Sequence, residues 1–240
     1  MQNRYVGDIG DYVKLAILRS LSPGFQIGVA WWLYPDESHN SDGAHVDYLR
    51  YPDRWRNLDP ELFDGLKGIV TSKRRHVSAL EMLLPGAAFA TDIFPQENTP
   101  NRRIAARDAW LSSVKDKLRS TNLVFIDPDN GIQTLRFSAG QKRAGKSVSF
   151  RELLELGAHG RPLLVYHHQT RRKGGHLAEI EYLSDVLRDN GFHSVDALRA
   201  PRYSPRAFFL LNAPSVMRER AKAFSEKWAE AVTWHPGKPK

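Results

Sequence analysis

Leu123-Val124-Phe125-Ile126-Asp127-Pro128-Asp129-Asn130-Gly131-Ile132-Gln133 runs four apolar residues straight into two carboxylates, an amide and a glycine. A short, unbroken apolar run bounded by turn formers is what a strand covered on both faces requires, as in a parallel sheet. Pro128 fixes its own φ and biases Asp127 towards extended backbone, and Asn130-Gly131 supply a sharp turn. In open α/β sheets, ligands sit outside the carboxyl ends of the strands. Asp127, Asp129 and Asn130 are therefore the first catalytic candidates. Side chains of these types on such a turn can hydrogen-bond a flat base or help ligate a metal. The plainer alternative is an Asx-turn that simply ends the strand.

Downstream, the pattern alternates. Residues 147–157 read as a helix, 162–166 as the next strand, and 176–190 as a long helix capped by Gly191. Residues 193–198 and 207–211 read as two strands a short loop apart, and 215–232 as a closing helix. Upstream, residues 11–21 have helical spacing of Val13, Ile17 and Leu21, with Asp11 as N-cap. Residues 27–34 read as a buried strand, and 36–59 as a long polar loop with a short helix near 46–50. Residues 60–68 and 74–84 read as helices and 87–94 as a strand. Residues 101–118 form an amphipathic helix with Ile104, Ala105, Trp110, Leu111, Val114 and Leu118 on its apolar side. Together these predict an α/β fold: a three-layer, doubly wound, mostly parallel, Rossmann-like sheet with an antiparallel edge hairpin. We expect one domain over residues 1–240, with 35–60 as a long loop or small insertion.

Parallel strands gather their carboxyl ends at one rim, so Asp127, His167 and the loop after Leu33 should meet there. In Tyr166-His167-His168-Gln169-Thr170-Arg171-Arg172-Lys173, histidine suits a general base and Arg171, Arg172 and Lys173 suit phosphates. Neighbouring residues of a strand point to opposite sides, so at most one histidine faces a given pocket. A second basic stretch, residues 136–146, carries Arg136, Lys142, Arg143 and Lys146 among glycines and reads as a mobile phosphate-contacting loop or a solvated one. At the opening, Asp8, Asp11 and Lys14 share a helical face if Asp8 begins the helix, and simple capping explains them equally well. Trp31 and Trp32 with Tyr34 offer a stacking face, although core burial is the better reading.

One expected feature is missing. A cofactor-binding Rossmann strand is normally followed by a glycine-rich turn that lets backbone approach the ligand. Here only Pro35-Asp36-Glu37 follow, with Gly43 further on. The loop Tyr34–Glu37 would have to hold a cofactor such as S-adenosylmethionine, with Asp36 or Glu37 on its ribose and Asp8 and Lys14 on the same side.

Composition sets the outer bounds. The 240 residues carry a net charge of +8 and no cysteine. The missing cysteines exclude disulfides, thiolate metal sites and cysteine nucleophiles, and point to the cytoplasm. No apolar run is long enough to span a bilayer, so no membrane association is expected. The excess of Lys and Arg makes nucleic acid, DNA or RNA, the expected partner. No metal signature, nucleophile elbow or internal repeat is present.

Asp127-Pro128 resembles the first two positions of the strand-four motif of Rossmann-fold amino-methyltransferases, an acidic or Asn residue followed by Pro-Pro-aromatic. Asp129 and Asn130 stand where that family has the second proline and the aromatic that stacks on the target base. The strand order after Asp127, and Tyr5, Gly7, Asp11 and Lys14 at the opening, are similar to a stand-alone ribosomal RNA adenine methyltransferase. The chain as a whole resembles a bacterial family of uncharacterised proteins with an Asn-Arg-Tyr-x-Gly-Asp-x-x-Asp-Tyr opening and a central Asp-Pro-Asp-Asn-Gly. The matching residues are Asn3-Arg4-Tyr5, Gly7-Asp8, Asp11-Tyr12 and 127–131.

Three functions follow as expectations. In a nucleic-acid-directed, methyltransferase-like enzyme, Asp127 accepts a hydrogen bond from the target amino group and Asn130 orients it. In a metal-dependent nuclease or phosphodiesterase, Asp127 and Asp129 coordinate Mg2+ or Mn2+. His167 or His168 is then the base, and Lys142 or Lys146 meets the transition-state charge. In the third, the chain is a non-catalytic nucleic-acid or protein-partner module on a degenerate Rossmann scaffold.

Overall fold

Asp8, not Asp11, caps the first helix: its carboxylate accepts from the Asp11 amide at 3.0 Å, and α1 runs Ile9–Leu21. The computed structural model describes residues 1–37, 45–134 and 136–237. After α1 come β1 (Ile27–Ala30), α2 (Pro52–Trp55), α3 (Pro60–Thr71), α4 (Val77–Glu81), β2 (Ala88–Ala90), α5 (Pro100–Lys117) and β3 (Leu123–Ile126). The chain continues through β4 (Gly131–Ile132), β5 (Ser147–Val148), α6 (Phe150–Leu156), β6 (Leu163–His168) and α7 (Gly175–Asp189). It ends with β7 (Val195–Ala200), β8 (Arg206–Leu211), α8 (Ser215–Lys227) and β9 (Thr233–His235). Local chemistry sets several boundaries. Thr99 and Asp59 cap α5 and α3, each with a proline in the first turn. Ser149 and Glu152 form a capping box that starts α6.

The main sheet has seven strands in the order β2-β1-β3-β6-β8-β7-β9. The β2, β1, β3 and β6 strands are parallel, and β8 inserts antiparallel between β6 and β7. Both faces are covered, and the apolar run of β3 divides accordingly. Leu123 and Phe125 join the core made with α1, α3 and α8. Val124 and Ile126 join the core made with α5, α6 and α7. No described helix is long and apolar enough to cross a membrane.

The antiparallel edge is present and wider than a hairpin. β9 pairs with β7 from Thr233 to His235, outside the β7–β8 hairpin. Other boundaries differ from those expected. The first strand ends at Ala30 rather than residue 34, because Trp32 takes a positive φ of 49°. The helix expected over 74–84 forms only at Val77–Glu81, where His76 caps it by accepting from Ser78. Residues 147–148 are a strand that pairs with β4 in a separate two-stranded sheet. Of the expected apolar side of α5, Ile104 is 41% exposed while Arg107 is buried. Arg107 binds the Glu152 carboxylate and the carbonyls of Ala144 and Ser147. That network ties the C-terminal end of the basic loop to α5 and α6. In the long loop after β1, Gly43 and the rest of residues 38–44 lie outside the described residues.

Candidate functional site

Asp127 stands directly at the C-terminal end of β3, 2% exposed, with its amide bonded to the Ala30 carbonyl of β1. Its Oδ2 accepts from Lys14 Nζ at 2.7 Å. Lys14 comes from α1, one turn after Asp11, whose Oδ1 lies 3.0 Å from the same ammonium. A buried cation between two carboxylates is held firmly: burial opposes the charge on Lys14, but Asp127 and Asp11 more than restore it, so its pKa rises. Burial pushes Asp11 up to about 6, against the opposing pull of Lys14. The other oxygen of Asp127, Oδ1, makes no hydrogen bond among the described residues.

The carboxylate borders a cavity of about 370 Å³ at the C-terminal ends of β3 and β6 and the start of β8. Asp129, Asn130, Asp8, Glu37, Arg143, Lys146 and His168 also line it. Asp129 accepts from Gln2 Nε2 at 2.5 Å and lies 2.8 Å from the amino group of Met1. Burial alone would raise its pKa, but those contacts and Lys146 hold it below the usual carboxylate range. Asn130 is exposed, and its amide N–H donates to the Lys146 carbonyl. Lys146 is paired with Glu37 at 2.5 Å and sits 5.0 Å from the Tyr34 ring centroid.

Other expected site residues lie elsewhere. His167 and His168 face opposite sides, as strand geometry demands. His168 lines the Asp127 cavity. His167 is buried behind it, with Nδ1 accepting from the Ile132 amide at 3.1 Å and Nε2 3.3 Å from Glu179. Both ring nitrogens of His167 are thus committed to structure. A Cβ on Gly131, whose φ is +87°, would lie 2.5 Å from the His167 Cα, so β4 reaches β6 only through glycine. Tyr34 and Asp36 do not line the cavity: Asp36 is exposed, and Tyr34 covers Lys146 instead. Lys142 is exposed and outside it too. Arg171 and Arg172 line a different cavity, and Lys173 is exposed. Trp31 and Trp32 are buried in the core, Trp32 edge-on to Trp110 with centroids 4.5 Å apart.

The structure adds residues that pattern reading missed. Arg206, at the start of β8, is 4% exposed yet lines the cavity. Its Nε donates to the Ser204 carbonyl, and no carboxylate forms an ion pair with it among the described residues. Gly10 makes room for it, since a Cβ there would lie 2.0 Å from Arg206 Nη1. Tyr166 and Arg4 also line the cavity, and burial pushes the Tyr166 hydroxyl up to about 12. A glycine in the first turn of α1 was the available signal for Arg206, but it named no partner.

The cavity thus offers a buried carboxylate with one open oxygen, a buried guanidinium without a carboxylate, and a rim of mixed charge. Such a site can hold a zwitterionic or amino-bearing ligand by complementary hydrogen bonds. No group of three or more His, Asp or Glu side chains converges as a metal site among the described residues. No protein-family model and no curated protein matches the chain.

Proposed function

We propose that the protein is a nucleic-acid-directed, methyltransferase-like enzyme of the bacterial cytoplasm, acting at the cavity around Asp127. The observation that carries this reading is the asymmetry of that carboxylate. Lys14 fixes Oδ2, so the open Oδ1 has one orientation towards the cavity. An exocyclic amino group can donate to it, and Asp127 thereby holds the nitrogen in place and takes up positive charge developing on it. The strand order downstream of Asp127 is one feature that carries the resemblance to ribosomal RNA adenine methyltransferases. The net charge of +8 supports a polyanionic substrate.

S-adenosylmethionine, when bound, would supply an electrophilic methyl group. The amino-acid end of that molecule fits the residues present: its carboxylate matches Arg206, and its ammonium matches Asp8 or the rim around it. Glu37 is the remaining candidate for the ribose, since Asp36 lies outside the cavity. Glu37 is paired with Lys146, which would have to share it. Arg143 is exposed at the rim and suits a substrate phosphate.

The Mg2+-dependent reading has less support, because a metal ion at Asp127 would have to compete with Lys14 at 2.7 Å. Calorimetric titration with S-adenosylmethionine and its demethylated product tests the proposal. Saturable heat that disappears in Arg206→Met is the expected result. No heat at millimolar ligand overturns it, and cleavage of plasmid or RNA under Mg2+ or Mn2+ would favour the nuclease.

A further inference from the structure

Behind the C-terminal end of β6, on the side that His167 faces, lies a second cavity of about 570 Å³. Its floor is apolar, with Ile132 and Phe150 from the β4–α6 region and Leu183 from α7. Arg136, Arg171 and Arg172 line it, and all three are exposed. None of them forms an ion pair with a carboxylate among the described residues. Arg172 lays its guanidinium on Tyr182, 3.4 Å from the ring centroid. The one acid in the cavity wall, Glu179, is already engaged by the Thr170 amide and hydroxyl and by His167.

Three arginines around an apolar, aromatic floor are not what a solvated loop needs. Solvation alone would leave the floor polar and let the guanidinium groups spread. Here the stacked Arg172–Tyr182 pair presents a flat cationic face beside the aromatic edge of the cavity, and Arg136 and Arg171 add positive charge. Flat apolar faces recognise a heterocycle, while guanidinium forks recognise phosphate oxygens.

We infer that this groove is a subsite for one nucleotide of a single-stranded nucleic acid, its base stacked on Arg172–Tyr182 and Phe150 and its phosphates on Arg136 and Arg171. An unpaired strand is required, because a base inside a duplex has both faces covered by its neighbours. β4 begins four residues after Asp127 and forms part of the groove wall, so a strand lying across the rim passes from the groove to the Asp127 cavity. The inference rests on the nucleic-acid part of the proposed function and is independent of methyl transfer.

Fluorescence anisotropy of the full chain with labelled single-stranded DNA, single-stranded RNA and a matched duplex tests it at fixed low salt. The wild type should prefer the single strands, and the two sugar types will show whether the groove tells ribose from deoxyribose. Tyr182→Ala should weaken single-strand binding by roughly 5- to 150-fold, the range measured for loss of one stacked base. Arg136→Glu, whose exposed side chain makes no hydrogen bond or ion pair among the described residues, should weaken it at least as much and keeps the test valid if Tyr182→Ala unfolds. Lys173→Ala, exposed but outside the groove, should change little. Equal affinity for the duplex, or no loss in Arg136→Glu, overturns the inference. Retained single-strand binding without binding of S-adenosylmethionine would overturn only the transferase reading.

Discussion

Around Asp127 every buried charge but Arg206 is answered, whereas on the opposite face of β6, which His167 rather than His168 faces, the arginines are not. Lys14 serves both Asp127 and Asp11, and Lys146 serves Glu37. In the groove behind His167, Arg136 and Arg171 line an apolar floor with no carboxylate paired to them among the described residues. A buried ion pair ties its residues to the stability of the fold, since removing one partner strands the other in low dielectric. An exposed unpaired arginine has no such tie. Substitutions around Asp127 should therefore move stability and ligand binding together, while substitutions of the groove's exposed arginines should move binding alone.

The largest effect is expected from Lys14→Met. It leaves Asp127 and Asp11 buried without their shared cation and should cost about 3–5 kcal/mol of unfolding free energy. Urea denaturation followed by tryptophan fluorescence reads this as a fall in midpoint at unchanged slope. A cost below about 1 kcal/mol, the range of exposed pairs, would mean that the cavity is wet enough to solvate the carboxylates. The contrast between the two regions would then collapse.

Asp127→Asn comes next. The amide can still accept from Lys14, and Asp11 remains as the counter-charge, so unfolding should stay cooperative with a loss of about 1–3 kcal/mol. Binding of an amino-bearing ligand should fall by at least tenfold in calorimetry, because Oδ1 of the carboxylate is the acceptor in the proposed role. A variant that unfolds outright at 25 °C would make Asp127 a turn residue first and a site residue second.

These residues also mark how far the sequence could be read. The unbroken apolar run 123–126 and its abrupt polar end were legible, because burial on both faces of a parallel strand leaves no room for alternation. So was the division of labour between His167 and His168, which follows from strand geometry alone. The Lys14–Asp127 pair was not, since its members lie 113 residues apart and nothing local links them. Arg206 was hidden for another reason: it heads an otherwise apolar strand, where a lone arginine reads as a boundary. β9 is only Thr-Trp-His after a helix and carries no run or alternation, so its pairing with β7 depends on tertiary packing. Ile104 misled because helical periodicity ranks residues by apolarity, while the layer opposite α5 there supplies Glu152 and carbonyls, which select Arg107.

The two regions should also respond to pH with opposite sign. Asp11 has a folded pKa raised to about 6 by burial, above an unfolded value of about 3.9. The native state therefore binds more protons between those values, and stability falls as pH rises through them. Glu179 beside the groove is the reverse. Burial would raise its pKa, but hydrogen bonds from His167 and Thr170 outweigh this and hold it down. Its contribution is complete above an unfolded value near about 4.3 and is lost as the pH falls further. Unfolding free energies measured from pH 3 to 7 should show that Asp11→Asn removes a decline between about pH 4 and 6. Glu179→Gln should instead remove a loss on the acid side. If both variants flatten the same limb, the two carboxylates share one environment and the division is wrong.

The smallest effect on the fold, and the clearest on binding, is expected when Arg171, Arg172 and Lys173 are all replaced by alanine. None of the three forms an ion pair among the described residues, and all are exposed. The stacking of Arg172 on Tyr182 is the packing at risk. Stability should therefore stay within about 0.5 kcal/mol of the parent, as for other surface positions. Nucleic-acid binding should weaken, and for single strands the slope of log K against log salt should flatten by about 0.7 for each phosphate that is no longer neutralised. The change in slope reports how many phosphates these residues hold, which weaker affinity alone does not. A flattening of about 0.7 would implicate one residue, and about 1.4 would implicate two, the number that Arg171 and Arg172 can supply from the groove wall if Lys173 stays in solvent. An unchanged slope with reduced affinity would leave Arg172 as a stacking platform only. Unchanged affinity as well would mean that the basic segment merely solvates its loop, and the groove would lose its phosphate side.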